Sequence, residues 1–348
     1  MKWSLRHYLL AFSMVPGLGS KRIAALLHAF GSFSRAWDAS EEEIRQIPGF
    51  GDKLAAQIIA HRPSIDPFGE EDALKQAGIK FVTLADSDYP KMIRQIQNPP
   101  PVLFYKGILP NKAGIAIVGT RKPTSSGRQQ AYFFAKKLAE AGLPVISGLA
   151  RGIDIEAHKG ALSVTNGRTV AVLGSPLEQI YPWEHTKVAE KIVENQGCLI
   201  TEFSPRDKIV PGNFPQRNRL ISALGWGVLV VEAGLRSGAI NTVNWALDQG
   251  KEVWAIPGDI FSSVRRGNHF LIKQGAMLVD EVEDIFNSLP AYAGIQSGRN
   301  SRSDVNSLRA RIKTLLEQGS DPDEIAMITG ASISEIHKEI TLLQLEEI

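Results

Sequence analysis

Residues 114–142 read "GIAIVGTRKPTSSGRQQAYFFAKKLAEAG": an apolar run, a polar turn bounded by glycines, and a segment with helical spacing. An unbroken apolar run fits a strand covered on both faces, so the stretch reads as strand, turn and helix. The same unit recurs up to residue 286. "LPVISG" (143–148), "TVAVLG" (169–174), "CLITEF" (198–203), "GVLVVEAG" (227–234) and "KEVWAIPG" (251–258) alternate with helical stretches. Short β-branched strands separated by helices predict an α/β domain with a mostly parallel sheet, doubly wound, over residues 111–288.

The strand ends carry the chemistry. Parallel strands bring their carboxyl ends to one edge of the sheet, where ligands bind. Here those ends are "GTRKPTSSG" (119–127), "SGLARGID" (147–154), "LGSPLEQIYP" (173–182), "EAGLRSG" (232–238) and "IPGD" (256–259). The first matches neither G-x-G-x-x-G nor G-x-x-x-x-G-K-[ST], and it puts Arg121 where a cofactor loop is normally small. Polar loops with free N–H groups make anion nests, and Arg121, Arg151 and Arg236 add full charges.

A second basic group lies in "SPRDKIVPGNFPQRNRLIS" (204–222), with Arg206, Lys208, Arg217 and Arg219. Two helical positions apart, Arg217 and Arg219 diverge by about 200°. One is therefore expected to meet phosphate and the other to pair internally, with Glu202 or Glu232. Phe214 fits two roles, a stacking face for an unpaired base or a core plug at the helix entrance. In "ARGIDIEAHKGAL" (150–162), Asp154 sits near a helix N-terminus, where a carboxylate is favoured.

No metal is expected, since the seven histidines form no H-x-x-x-H pair and have no cysteine partner. Nucleophilic catalysis lacks a G-x-S-x-G elbow, and Ser147 has no evident base.

Bulk composition is that of an ordinary globular chain. The 39 basic and 37 acidic side chains leave +2, so any polyanion site must be a local patch. The single Cys198 cannot form an internal disulfide and reads as a buried small hydrophobe, which points to a reducing cytoplasm. No apolar run is long enough to span a membrane. The start, "MKWSLRHYLLAFSMVPG", sets basic residues before an apolar stretch. It lacks an A-x-A-like cleavage site and continues into a helical pattern.

The flanks differ from the centre. "VPGLGSKRIAALLHAFGS" (15–32) and "IPGFGDKLAAQIIAHR" (47–62) repeat P-G-x-G followed by an amphipathic helix. They resemble a tandem helix-hairpin-helix module within a helical domain at 1–62. Two readings stay open: backbone contact to DNA phosphate, favoured by Lys21, Arg22 and Lys53, or packing of short helices, favoured by Glu41–Glu43. Residues 63–110 are proline-rich and read as a connector. Residues 289–306 read as a polar linker and 307–348 as a small helical domain. Its segment 331–348 sets Glu335, Glu339, Glu346 and Glu347 against Lys338, so a duplex would repel it. The stripe of Ile336, Ile340 and Leu343 suits a protein-facing or self-packing surface.

Seven segments, in order, resemble the DprA/Smf family: "AIVGTRKPTSSG", "VISGLARGIDIEAHKGAL", "TVAVLGSPLEQIYP", "LITEFSP", "NFPQRNRLIS", "LVVEAGLRSGAINT" and "VWAIPGDI". The resemblance spans about 112–287 and implies an extended Rossmann-like domain. An N-terminal helix-hairpin-helix or SAM-like domain and a C-terminal winged-helix-like domain, its wing truncated, would flank it. It further implies a non-catalytic protein without cofactor that binds and protects single-stranded DNA and helps load RecA recombinase in natural transformation. A homodimer is the expected assembly.

The DNA contacts expected on this basis begin with Gly119, Thr120, Arg121 and Lys122, and continue with Gly148, Arg151 and Gly152. The His158–Lys159 step follows, then Phe214 and Gln216 to Arg219 (Gln216, Arg217, Asn218, Arg219). Ser237 and Gly238 complete the pocket, with Pro257–Gly258 beside them. Arg265 and Arg266 are extra cations relative to the family pattern. The rival reading is an enzyme, a phosphoribohydrolase of the lysine-decarboxylase-like kind. That reaction needs a glutamate after the P-G-G-x-G-T loop, and "GLRSGAINTVNWA" has none after Thr242.

Overall fold

Glycine-bounded apolar runs become strands where helices cover both faces, and this chain places nine of them in one sheet. The structure is a computed structural model describing residues 3–289, 312–313, 315–316, 321–329, 331–333, 336–337 and 339–340. The strands are β1 (Lys80–Thr83), β2 (Val102–Gly107), β3 (Gly114–Val118), β4 (Val145–Ser147), β5 (Thr169–Val172), β6 (Cys198–Thr201), β7 (Gly225–Val230), β8 (Glu252–Ala255) and β9 (Met277–Leu278). Their order is β1-β2-β6-β5-β4-β3-β7-β8-β9. From β6 to β9 every pairing is parallel, whereas β2 at one end pairs antiparallel with both β6 and β1.

The chain winds outward from β3 through β4, β5 and β6, then returns to β3's other side with β7 and winds on to β9. The point of reversal lies between β3 and β7, and in open α/β sheets that crevice is the ligand site. Burial alternates as a two-sided sheet requires. Ala171 and Leu199 face one apolar cluster, while Val170, Val172, Cys198 and Ile200 face the other.

The stretch read as a connector is more than that. β1 and β2 lie within 63–110 and extend the sheet, with Phe104 opposite Thr201. Asp86 accepts the Thr83 N–H at 2.7 Å and pairs with Arg6 at 3.1 Å, which ties this end of the sheet to the first helix.

Helices α1 (Leu5–Ser13), α2 (Ser20–Phe30), α3 (Phe33–Asp38), α4 (Glu41–Arg45) and α5 (Asp52–His61) form the N-terminal region. Both P-G-x-G turns bury their central side chain, Leu18 and Phe50, while Lys21, Arg22 and Lys53 remain exposed. Leu9, Leu10 and Phe12 of α1 share an apolar cluster with Phe81 and Phe104 of the sheet. The packing role is thus real, and the exposed cations leave the turns free to meet solvent.

Further along come α6 (Pro67–Gln76), α7 (Lys91–Arg94), α8 (Ser125–Glu140), α9 (Ile153–Leu162), α10 (Thr186–Glu194), α11 (Asn213–Leu224), α12 (Gly238–Asp248), α13 (Arg266–Lys273) and α14 (Val282–Ser288). Residues Met1–Val282 form one compact unit and Glu283–Ile348 a second. Within the second, α15 (Pro322–Thr329) contributes Ile325 to a small cluster with Ile312 and Ile336, and Ile340 packs against it. Ile336 and Ile340 therefore serve self-packing. The linker read at 289–306 lies outside the described residues from 290 onward, as do Leu343 and the rest of 341–348, where the wing reading falls. Among the described residues no helix is long and apolar enough to cross a membrane.

Candidate nucleic-acid interface

At the β3–β7 reversal the strand-end loops enclose an open cleft of about 650 Å³. The loop after β3 supplies Gly119, Thr120, Arg121 and Lys122, and the entrance of α11 supplies Phe214, Arg217 and Asn218. The loop after β7 adds Arg236 and Ser237, which caps α12, with Gly238 and Ala239 in the first turn of that helix. Four cations line the cleft against a single carboxylate, Asp154. Arg121, Lys122 and Arg236 are exposed, and no carboxylate lies within ion-pair distance of any of them among the described residues. An anion would be met by charge not already neutralised.

Glu232 organises this arrangement from below. It is fully buried two residues past the end of β7 and pairs with Arg265 Nε at 3.2 Å. Its carboxylate accepts the N–H of Thr124 at 2.7 Å and the Thr124 hydroxyl at 2.9 Å, while its carbonyl accepts the Thr120 N–H at 2.7 Å. A protein carboxylate therefore occupies the start of α8, the position where a dinucleotide fold holds pyrophosphate. The cleft's open anion-binding ground is displaced toward α11 and α12.

Arg217 forms the floor and is 3% exposed. Its Nη1 donates to the carbonyls of Gly148, at 2.6 Å, and Val172. A Cβ on Gly148 would stand 2.4 Å from that nitrogen, so glycine is what lets the guanidinium pass. Burial lowers the Arg217 pKa to about 10, against the pull of Asp154, and the group remains a cation near neutrality. Asp154 accepts the Gly148 N–H at 3.1 Å and the Ala150 N–H at 3.4 Å. Burial raises its pKa, opposed by Arg217 and by those bonds.

Gly152 holds φ +86°, and a Cβ there would lie 2.3 Å from the Thr120 carbonyl, so the second loop nests under the first. It shapes the site from a buried position. A side recess joins Arg121, Gly148 and Arg151 to Tyr181, Pro182 and Phe214. Phe214 is half-buried: its ring meets Tyr181 at 5.3 Å between centroids, and the Arg121 guanidinium stands 5.8 Å from it. Packing and access to a ligand thus coexist at Phe214. Arg151 is exposed but pairs with Glu184 at 2.5 Å.

Several expected contacts lie elsewhere. His158 is fully buried, with Nδ1 2.7 Å from the Thr169 hydroxyl and Nε2 accepting the Leu149 N–H, so it braces the interior and cannot reach DNA. Lys159 is exposed outside the cleft and pairs with Glu156 at 2.8 Å. Arg219 points away from Arg217, pairing with Glu202 at 2.5 Å and donating to the Asn98 carbonyl at 3.0 Å. Gln216 is exposed and does not line the cleft. Arg265 is buried on Glu232, so a ligand in the cleft cannot reach it, whereas Arg266 is exposed outside the cleft lining. Sequence reasoning missed Tyr181 and Asn241; Asn241 accepts from Asn218 Nδ2 at 3.2 Å. Among the described residues no cluster of three or more His, Cys, Asp or Glu is arranged to hold a metal.

Fold and site together define a doubly wound α/β protein with a cation-lined cleft at its switch point, behind a helix-hairpin-helix module. Residues 80–290 match the DNA recombination-mediator protein A family, and residues 9–61 match the SAM-like helix-hairpin-helix tandem. The chain belongs to the DNA recombination-mediator protein A family, in which DprA and Smf proteins are grouped. It is 35% identical over 305 residues to Protein Smf of Synechocystis sp., covering 86% of this chain and 76% of that protein. It is 38% identical over 221 residues to DNA processing protein DprA of Bacillus subtilis, covering 63% of this chain and 74% of that one.

Among solved structures, DprA from Streptococcus pneumoniae superposes with a TM-score of 0.69 at 29% identity, over 83% of this chain and 99% of that one. DNA processing protein A from Helicobacter pylori, described for its single-stranded DNA binding mode, gives 0.54 at 29% identity, over 60% and 95%.

Proposed function

We propose that this chain binds and protects single-stranded DNA along the carboxyl edge of its sheet and helps load RecA recombinase onto it in natural transformation and recombination. It acts in the cytoplasm as a homodimer, without cofactor and without catalysing bond cleavage. The observation that carries the reading is the set Arg121, Lys122 and Arg236, three exposed cations around one cleft with no carboxylate partner among the described residues. Kinship with the Helicobacter pylori protein supports DNA as the polyanion. Against catalysis, the lining offers no histidine and one carboxylate, Asp154, whose oxygen is engaged by two backbone N–H groups. Thr242 is followed by Val243, Asn244 and Trp245, so the glutamate of the phosphoribohydrolase loop is missing.

The test is a titration of labelled oligo-dT and of a duplex of equal length at several salt concentrations. Three phosphate contacts at about 0.7 each give an expected log–log slope of about −2 for the single strand, with weaker duplex binding. Absence of single-strand binding at about 50 mM salt, or equal affinity for both forms, would overturn the proposal.

A further inference from the structure

Two aromatic side chains stand outside everything the cleft uses. Phe261 is 90% exposed and Trp183 77% exposed, more than any other aromatic among the described residues. A single exposed aromatic needs no explanation. Their placement does. Trp183 follows Tyr181 and Pro182, which border the recess with Arg121 and Arg217. Phe261 lies three residues before Val264, which lines the cleft itself, so their Cα atoms are at most about 11 Å apart.

Both sit on loops at the carboxyl edge, one after β5 and one after β8. The sheet order places β4, β3 and β7 between those strands. Four strand spacings of about 4.8 Å set β5 and β8 roughly 19 Å apart, and the cleft lies between those strands.

Each ring stands on a fixed turn. Around Trp183, the His185 N–H donates to the Pro182 carbonyl at 3.1 Å and the Thr186 hydroxyl to the Trp183 carbonyl at 2.7 Å. Glu184 pairs with Arg151, and His185 Nδ1 lies 2.7 Å from the Leu149 carbonyl. At the other end, the Phe261 N–H donates to Asp259 Oδ1 at 2.9 Å and the Ser262 N–H to the Asp259 carbonyl at 3.1 Å. Arg265, four residues on, is anchored to Glu232. The turns are thus held in place, and each presents an apolar ring left largely uncovered by the described residues.

We propose that Trp183 and Phe261 are stacking platforms for DNA bases at the two ends of the cleft, so that a single strand lies across the carboxyl edge from the β5 loop to the β8 loop. The inference rests on the single-strand reading above. Phosphates drawn to Arg121, Lys122 and Arg236 leave the bases of an unpaired strand unstacked, and a ring face at each end restores that stacking. A duplex already stacks its bases and gains nothing from either ring, so the two aromatics discriminate single strands from duplex, whereas the cations attract both.

The experiment compares the full chain with Trp183→Ala, Phe261→Ala and Arg121→Ala, using oligo-dT of graded length and a matched duplex across a salt series. Each aromatic truncation should weaken single-strand binding by about 5- to 150-fold, leave the salt slope unchanged and spare duplex binding. Phe261→Tyr and Trp183→Phe should restore most of the loss. Trp183→Phe should also remove a share of the tryptophan quenching that oligo-dT produces. If Arg121→Ala weakens binding while neither aromatic truncation does, the platforms are refuted and the cleft stands. Equal losses on duplex, or an altered salt slope, would show that the aromatics act through the fold and would also overturn the inference. If the unaltered protein binds no single strand at low salt, both readings fall.

Discussion

Glu232→Ala isolates the contact that holds the first loop in place. The side chain is fully buried, neutralises Arg265 at 3.2 Å and accepts two bonds from Thr124. Its removal leaves Arg265, 5% exposed, as an uncompensated buried cation with only neutral partners at the Val231 carbonyl and Gln130. Breaking a buried pair from one side is worth about 3–5 kcal/mol. The Thr124 donors overlap with that figure and do not add to it in full. With a urea m-value of about 3 kcal/mol/M, the unfolding midpoint should fall by about 1–2 M. Tryptophan fluorescence in a urea series reads this directly. Adding Arg265→Met removes the stranded charge and should recover much of the loss. Single-strand affinity should also drop under folding conditions, because the loop carrying Arg121 loses its tether. An unchanged midpoint in Glu232→Ala, or a double variant no better than the single, would refute the reasoning.

Other outcomes follow from the same geometry. Gly152→Ala puts a Cβ 2.3 Å from the Thr120 carbonyl at φ +86°, so it should destabilise by roughly 2 kcal/mol or more in thermal unfolding; a neutral result would mean the two loops are not nested. His158 should make stability acid-sensitive. Burial first, then the His185 and Arg217 charges, lower its pKa from 6.5 to about 3. The unfolded chain therefore takes up a proton that the folded chain refuses. Stability is fully present above pH 6.5 and declines toward pH 3, by at most roughly 1.4 kcal/mol per unit. His158→Gln should remove that one-proton slope whatever its effect on the absolute value, and an unaltered slope between pH 6 and 4 would assign the acid sensitivity elsewhere. Incubation with AMP should release no adenine above a protein-free control; measurable turnover would favour the phosphoribohydrolase reading.

Much of this was legible because period and punctuation are local. The glycine turns mark where β3, β4, β5, β7 and β8 end, and parallel winding alone gathers those ends at one edge. The 200° between Arg217 and Arg219 foretold that they would part, and Glu202 is the partner that Arg219 takes. Other features depend on tertiary neighbours. β1 has four residues and β9 two, too short to show a period, and the prolines around β2 read as loop. Arg265 and Arg266 look alike in sequence, yet only the buried Glu232 behind Arg265 distinguishes an internal cation from an exposed one. His158 looked like part of a ligand step because its burial against Thr169 and Leu149 is set by the second loop's return. Nothing in the spacing shows that.

The most direct test of the central claim compares Arg121→Glu with Lys75→Glu for binding to oligo-dT across a salt series. Both reverse one exposed cation; Arg121 borders the cleft, and Lys75 lies in the last turn of α6, outside it. The switch-point cleft predicts a large loss for Arg121→Glu and a small, salt-screened change for Lys75→Glu. Arg121→Ala should in addition lower the magnitude of the salt slope by about 0.7, equally for poly-dT and mixed sequence. Equal effects at positions 75 and 121 in folded protein would contradict the account and place the DNA elsewhere on the molecule.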